Sequence, residues 1–400
     1  MSLLPVADAL ARVLSGISTL PDEAIPVGEA HHRVLAEPLA SARDQPPADV
    51  SSMDGYAVRA ADLASPSRLR LVGESAAGRP FAGELNPGET VRIFTGAIVP
   101  KGADSVVAQE DAQAEDGVVG LPSSKPGKFI RRRGLDFTAG KTMLEPGRRL
   151  TARDVGLAAA MDHATIKVAR RPRVAIVATG DELVTPGSGG DPNRVVASNP
   201  FALAALLREE NAQVSNLGIL PDKIDAIVDA IRLARNSVDV LVTLGGASVG
   251  DHDLIAPALA AENIALGFHR VALRPGRPLL LGLAGNLRVL GLPGNPVSSF
   301  VCALLFIVPL LRKLQGRSDF LPLRESAVLG SAQPENDHRE DYLRARIERG
   351  GDGRLVATPH DRQDSSMQGL LVLSDGLLIR APNAPAAKAG DACEVIRFQD

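Results

Sequence analysis

The sequence predicts a multidomain chain of α/β plus β class, organised around a central doubly wound α/β domain. Three observations lead there. Between residues 172 and 316, short apolar runs alternate with helically spaced segments, the texture of βαβ units and a mainly parallel sheet with helices on both faces. Ahead of it, residues 49–144 carry brief β-like runs cut by Gly and Pro, an all-β texture. Behind it, residues 317–400 return to β texture.

Taken in order, the opening "LLPVADALARVL" reads as an amphipathic helix without the basic start of a signal peptide. An irregular, Pro-containing stretch follows to residue 48. The runs "RLRLVG", "TVRIFTG", "DSVVAQED" and "KFIRRRG" are the strands of the β-rich region. Next, "TARDVGLAAAMD" predicts a helix that packs back on the first one. Residues 1–48 and 145–171 would then form one split helical domain, with residues 49–144 inserted in it. In the α/β region, "RVAIVATG", "VSNLGIL" and "VDVLVTLGG" read as strands. Helices are expected at "NPFALAALLREEN", "DKIDAIVDAIRLARN" and "DHDLIAPALAAEN", and a long one from about Pro296 to Leu314. Its apolar run at residues 300–311 is too short to span a bilayer and contains Pro309. In the last region "LLVLSDGLLIR" reads as a hairpin turning at Asp-Gly, and "GDACEVIRF" as a final strand.

Composition excludes several classes. A net charge of -3 offers no general attraction to nucleic acid. Cys302 and Cys393 are the only cysteines, so neither a zinc site nor a disulfide scaffold is expected. No membrane-spanning segment is expected, and a cytoplasmic enzyme or binding protein fits best.

Ligands of open α/β sheets bind beyond the carboxyl ends of strands, and three such ends carry unusual residues: "ATGDEL" (178–183), "TLGGASVGDHD" (243–253) and "GLPGNPVSS" (291–299). Gly245 and Gly246 expose backbone N–H groups, Ser248 adds a hydroxyl, and the helix start that follows favours an anion. Tight strand–helix packing accounts for the glycines equally well. Asn295 and Pro296 suit a helix N-cap and first turn, which leaves Pro293 beside them unexplained, and Ser298 lies within reach of a bound oxyanion. Asp222 caps the next helix with Asp225 as a capping-box pair, or serves the site. Glu182 and Asp253 each follow a glycine-bearing loop, where a carboxylate repels an anion unless a metal or proton transfer requires it. Carboxylates interleaved with anion-binding glycines point to Mg²⁺–phosphate chemistry; solvated surface acids are the alternative. His252 reads as a surface residue. In "RPGRP", Arg274 and Arg277 offer planar forks for oxyanions or a solvated turn. In the β-rich region, "SSMDGYAV", "FTGAIVPKGAD" and "RRRGLD" stand out; Asp54 has a turn alternative, and "RRRGLD" that of an exposed, charged strand end.

These motifs, in this order along essentially the whole chain, resemble the molybdopterin molybdenumtransferase family, to which the gephyrin E domain also belongs. The resemblance implies a split helical domain carrying the inserted β-rich domain, a pterin-binding α/β domain at residues 172–316 and a small C-terminal β-barrel at residues 317–400. It implies a homodimer whose active site faces the partner's inserted domain. The implied reaction inserts molybdate into adenylylated molybdopterin with Mg²⁺-dependent release of AMP; hand-over of substrate from the adenylyltransferase is possible. Carried over by position, Asp54, Glu182, Asp222 and Asp253 would be catalytic, with Glu182 and Asp222 nearest Mg²⁺. Thr95, Asp136, Gly245, Gly246, Ser248, Arg274, Arg277, Pro293, Asn295, Pro296 and Ser298 would bind substrate, joined by Arg344 and Ser365 of the last domain. Two departures stand out: arginines replace the family's lysines at Arg274 and Arg277, and Ala197 stands where an Asp is common. The alternative is a non-catalytic pterin-binding scaffold that anchors a partner; the retained carboxylates argue against it.

Overall fold

In the computed structural model, which describes residues 3–246 and 254–398, the central sheet is organised by a strand buried on both faces. Along Arg173–Thr179, Val174, Ile176 and Ala178 enter one core while Ala175 and Val177 enter the other. This is why the run is continuously apolar rather than alternating. The sheet runs Gln213–Leu220, Arg173–Thr179, Val240–Leu244, Leu287–Leu292, Leu280–Ala284, Ala265–Phe268. The first four strands are parallel and the last two antiparallel to their neighbours. From Arg173–Thr179 the chain passes to Gln213–Leu220 on one side and then to Val240–Leu244 on the other. The order therefore reverses at Arg173–Thr179, and a crevice opens there beyond the strand ends.

Helices Asn199–Glu209 and Pro296–Leu314 cover one face; Ile224–Arg235 and Ile255–Ala261 cover the other. The 19-residue Pro296–Leu314 is long and apolar enough, by length and composition alone, to cross a bilayer. That exceeds what its apolar run suggested, but 78% of its most apolar stretch is buried inside the protein. It serves as the spine of the core. A π-helical turn at Ala303–Ile307 precedes Pro309, whose missing N–H interrupts the helical ladder.

The N-terminal helix Val6–Leu14 joins this same core through Val6, Ala9, Val13 and Leu14. Burying each Val or Leu contributes about 1.5–3 kcal/mol. The expectation that residues 151–162 pack back on it is therefore corrected. One apolar face cannot serve two partners, and Ala152–Ala160 instead closes a separate core with Ile25, Leu35, Leu39, Phe137 and Ile166. There Asp22–Pro26 pairs antiparallel with Thr165–Ala169, and Leu39–Ala40 with Thr142–Leu144. Chain from both sides of the β-rich region thus makes one unit. The β-rich region has its own six-stranded sheet, in the order Ser105–Ala108, Gly55–Val58, Glu89–Ile93, Ser67–Ser75, Val118–Leu121, Gln113–Glu115.

At the C-terminus, Glu340–Arg349, Leu355–Pro359, Glu325–Leu329, Ala392–Arg397 and Gly376–Arg380 close on themselves, because the last pairs with the first. The result is a five-stranded barrel, which removes the exposed edge. The short strand Leu273–Arg274 of the α/β domain adds to it alongside Glu340–Arg349. "LLVLSDGLLIR" is not a hairpin: Gln368–Val372 is a short helix and only Gly376–Arg380 a strand. Both edges of that strand are occupied by barrel neighbours, and the Ser374 hydroxyl ends the helix by donating to Leu370 O.

A buried ionic cluster ties three parts together. The Glu210 carboxylate accepts from Arg312 Nε at 2.9 Å and Arg317 Nη1 at 2.9 Å, and Arg149 of the helical domain donates to Glu209 O at 2.8 Å. Glu210→Ala would leave the largely buried Arg312 without its counter-charge, while Arg317 keeps Asp319 at 2.8 Å, a loss of about 3 kcal/mol. Urea unfolding should show the midpoint falling accordingly; an unchanged midpoint would exclude the cluster as a structural tie.

Candidate active site at the sheet switch point

Three strand ends converge at the crevice. Gly245 and Gly246 have φ of +87° and +63°, values that L side chains rarely adopt. A Cβ on Gly245 would stand 2.6 Å from Thr179 O, and one on Gly246 3.1 Å from Thr179 Oγ1. The Gly245 N–H donates to Leu292 O at 3.3 Å, and a Cβ on Gly294 would lie 4.0 Å from Gly245 Cα. Asn199 Nδ2 donates to Gly294 O at 2.6 Å, fixing the third loop. The glycines here are required by close backbone approach over the strand ends. Ser248 and Asp253, together with His252, lie outside the described residues. The following helix, Ile255–Ala261, has only seven residues, too short to present the charged helix start that was expected to help.

The acids gather on the other side of the switch point. Asp222 does not cap its helix: Ile224–Arg235 starts at Lys223 without a side-chain cap. Instead Asp222 Oδ2 accepts the Asp181 N–H at 3.4 Å, while Asp181 Oδ1 accepts the Asp222 N–H at 3.2 Å. This reciprocal pair locks the two acidic loops together. Asp181 was missed by sequence reasoning; its only signal was its place beside Glu182 in "TGDEL". Glu182 is exposed, and its carboxylate folds back to within 2.8 Å of where a Cβ on Gly180 would stand.

The loop at residues 293–298 is built against the barrel. Pro293 and Ser298 are buried, whereas Asn295 is exposed. Asn295 occupies the N-cap position before Pro296 but makes no capping bond; its Nδ2 donates to Ser365 Oγ at 2.8 Å. The Val297 N–H donates to Ser365 O at 3.1 Å. Behind Ser365, Arg344 is 1% exposed. Its Nη1 donates to Met367 O at 3.2 Å, while Nη2 is buried with no partner. Burial pulls the Arg344 pKa down and the nearby Asp364 opposes this.

Arg274 and Arg277 part company. Arg274 donates to Asp341, to Asp337 at 3.3 Å and to Asn336 at 3.0 Å, so its fork is engaged by the barrel. Arg277 is exposed and lines a cavity of about 780 Å³ with Leu3, Val6, His338 and Arg339. Asp54, Thr95 and Asp136 lie outside the α/β sheet, and the first two of them meet. The Thr95 N–H donates to Asp54 Oδ1 at 2.7 Å. Asp136 is exposed and donates its N–H to Gln45 O at 2.9 Å. Its neighbours Arg132 and Arg133 pair with Asp49 and Asp44, pinning the crossing between the helical and β-rich domains.

An α/β sheet with glycine loops and acids beyond its strand ends, docked on a barrel, defines a ligand-binding α/β class of protein, and comparison gives the family. Residues 4–161 match the profile of the MoeA N-terminal region (domains I and II), residues 175–313 that of a probable molybdopterin binding domain, and residues 326–398 that of the MoeA C-terminal region (domain IV). The chain is 33% identical to a molybdopterin molybdenumtransferase of Haemophilus influenzae over 92% of both chains. It is 39% identical to one from Nostoc sp. over 74% of this chain and 70% of that one. The crystal structure of a molybdopterin biosynthesis MoeA protein from Pyrococcus horikosii superposes with a TM-score of 0.86 at 30% identity, covering 100% of both chains. The chain belongs to the molybdopterin molybdenumtransferase family.

The bonds from Thr95, its backbone N–H foremost and then its hydroxyl, hold the Asp54 carboxyl below the ordinary value. A depressed carboxyl stays ionised through neutral pH, and its interaction with Thr95 is lost only as pH falls through the lowered value. Thr95→Val should move the Asp54 midpoint part of the way back up, since the backbone donor remains. Carboxyl-carbon NMR titration reads this directly, and an unmoved midpoint would exclude the hydroxyl contribution.

Proposed function

We propose that this chain works in molybdenum cofactor biosynthesis as a transferase that inserts molybdate into adenylylated molybdopterin, releasing AMP. The observation that carries the reading is the switch-point strand: the Gly245–Gly246 turn packs on its last residue, Thr179, and the chain runs on from there into Asp181, paired with Asp222, and Glu182. Backbone donors suit a phosphate, and acids beside them have a use only if a cation comes with it. Mg²⁺ commonly takes one or two protein carboxylates and completes its shell with substrate phosphates and water. Glu182 and Asp222 fit such a partial site. Among the described residues no group of three or more ligating side chains is present, so a cation held here would need substrate phosphates and water for the rest of its shell. When bound, Mg²⁺ would neutralise charge on the phosphoanhydride oxygens.

The other residues take roles by position. Asp54 and Asp253 would place reacting oxygens, while Gly245, Gly246 and Ser248 hold phosphate. Pro293, Asn295, Pro296 and Ser298 border the pterin or molybdate pocket. The unpartnered Nη2 of Arg344 supplies a donor for an oxyanion such as molybdate. Because Asp54, Thr95 and Asp136 belong to another part of the chain, a homodimer in which the partner's inserted domain faces this crevice would unite both groups. A cytoplasmic location, with substrate handed on by the adenylyltransferase, suits that chemistry.

Incubation with adenylylated molybdopterin, molybdate and Mg²⁺ tests the activity: AMP release with formation of the cofactor is expected, while tight binding without turnover would favour the scaffold reading. Glu182→Ala and Asp222→Ala should each lower AMP release about a hundredfold or more without changing the circular dichroism spectrum. Wild-type turnover in both variants would remove the proposed cation site.

A further inference from the structure

Thr179 ends the strand on which the sheet order reverses. It is 4% exposed, and its hydroxyl has no hydrogen-bond partner. A buried hydroxyl without a partner is a net loss to the folded protein, so its retention at a strand end calls for a reason. Its surroundings supply one. The oxygen lies directly under the glycine turn, 3.4 Å from where a Cβ on Gly245 would stand and 3.1 Å from one on Gly246. Neither residue has a side chain to cover it or to bond it.

We infer that Thr179 is a substrate-binding residue whose hydroxyl donates to the phosphate oxyanion seated on the Gly245–Gly246 turn. The inference rests on the reading of the crevice given above. In the free protein the hydroxyl waits unpaired; substrate satisfies it, and the loss in the empty state becomes selectivity for a ligand with an acceptor at that point. A charged acceptor gives the stronger bond. The left-handed glycines let the turn close over the hydroxyl, where a Cβ on Gly246 would stand only 3.1 Å from it.

Thr243 provides an internal control. It is 0% exposed and its hydroxyl is also unpartnered. Its register places it opposite Val177 and Gly291, inside the sheet rather than against the glycine turn.

Both Thr179→Val and Thr243→Val remove an unpaired hydroxyl at nearly constant shape and should raise the melting temperature of the ligand-free protein. Only Thr179→Val should weaken AMP binding, measured calorimetrically, and lower kcat/KM for AMP release, each by about tenfold or more. Thr179→Ser should restore both. Should Thr179→Val fail to fold, Thr179→Ala carries the same expectation for binding and turnover. Wild-type AMP affinity and turnover in a folded Thr179→Val or Thr179→Ala would overturn the inference while leaving the proposed function standing. A wild-type protein that neither binds AMP nor releases it would overturn both.

Discussion

Two backbones in this protein come closer than any side chain permits. At the end of the central strand, Thr179 O lies 2.6 Å from the place a Cβ on Gly245 would take. The three crevice loops share that constraint: the Gly245 N–H reaches Leu292 O, Gly294 packs on Gly245, and the acids at 181 and 182 hang from the same strand. The glycines let the loops close on the strand end, whose place is set by a strand buried on both faces. Such a scaffold positions backbone donors without the entropy of ordering long side chains, which suits a site that must control charge.

The barrel is part of that site's construction. Through Ser365 it receives both the Asn295 amide and the Val297 N–H, so the start of the spine helix is set by a residue about seventy positions away. Asp341 and Asp337 hold Arg274 and thereby the turn that precedes the antiparallel strands. Arginine suits this position because its fork divides between Asn336, Asp337 and Asp341, which a single ammonium group could not match in geometry. The substitution of arginine for the family's lysine therefore has a structural use in this chain. At Arg277, which is exposed, the exchange has no such contact to explain it.

Much of this was legible in the sequence for physical reasons. Alternation of apolar runs with helical spacing exposed the α/β domain, and glycines at strand ends exposed the crevice. Less legible were the destinations of individual side chains. Asp222 and Asn295 both occupy capping positions by local pattern, yet their carboxylate and amide are drawn to partners far along the chain. Local propensity cannot foresee a tertiary hydrogen bond. The destination of the first helix was hidden for the same reason, since an amphipathic face records that it is buried and not against what. Thr179 was invisible, because a threonine at the end of a strand is ordinary until its hydroxyl is found unpaired.

The pairing of Asp22–Pro26 with Thr165–Ala169 also orders events at the ribosome. The intervening β-rich sheet has all its strands once residue 121 has emerged, whereas the segment at 22–26 must wait for chain more than forty residues later. Closing so long a loop is entropically easier once its interior has already condensed. The inserted domain would therefore fold first and bring the two halves of its own support together.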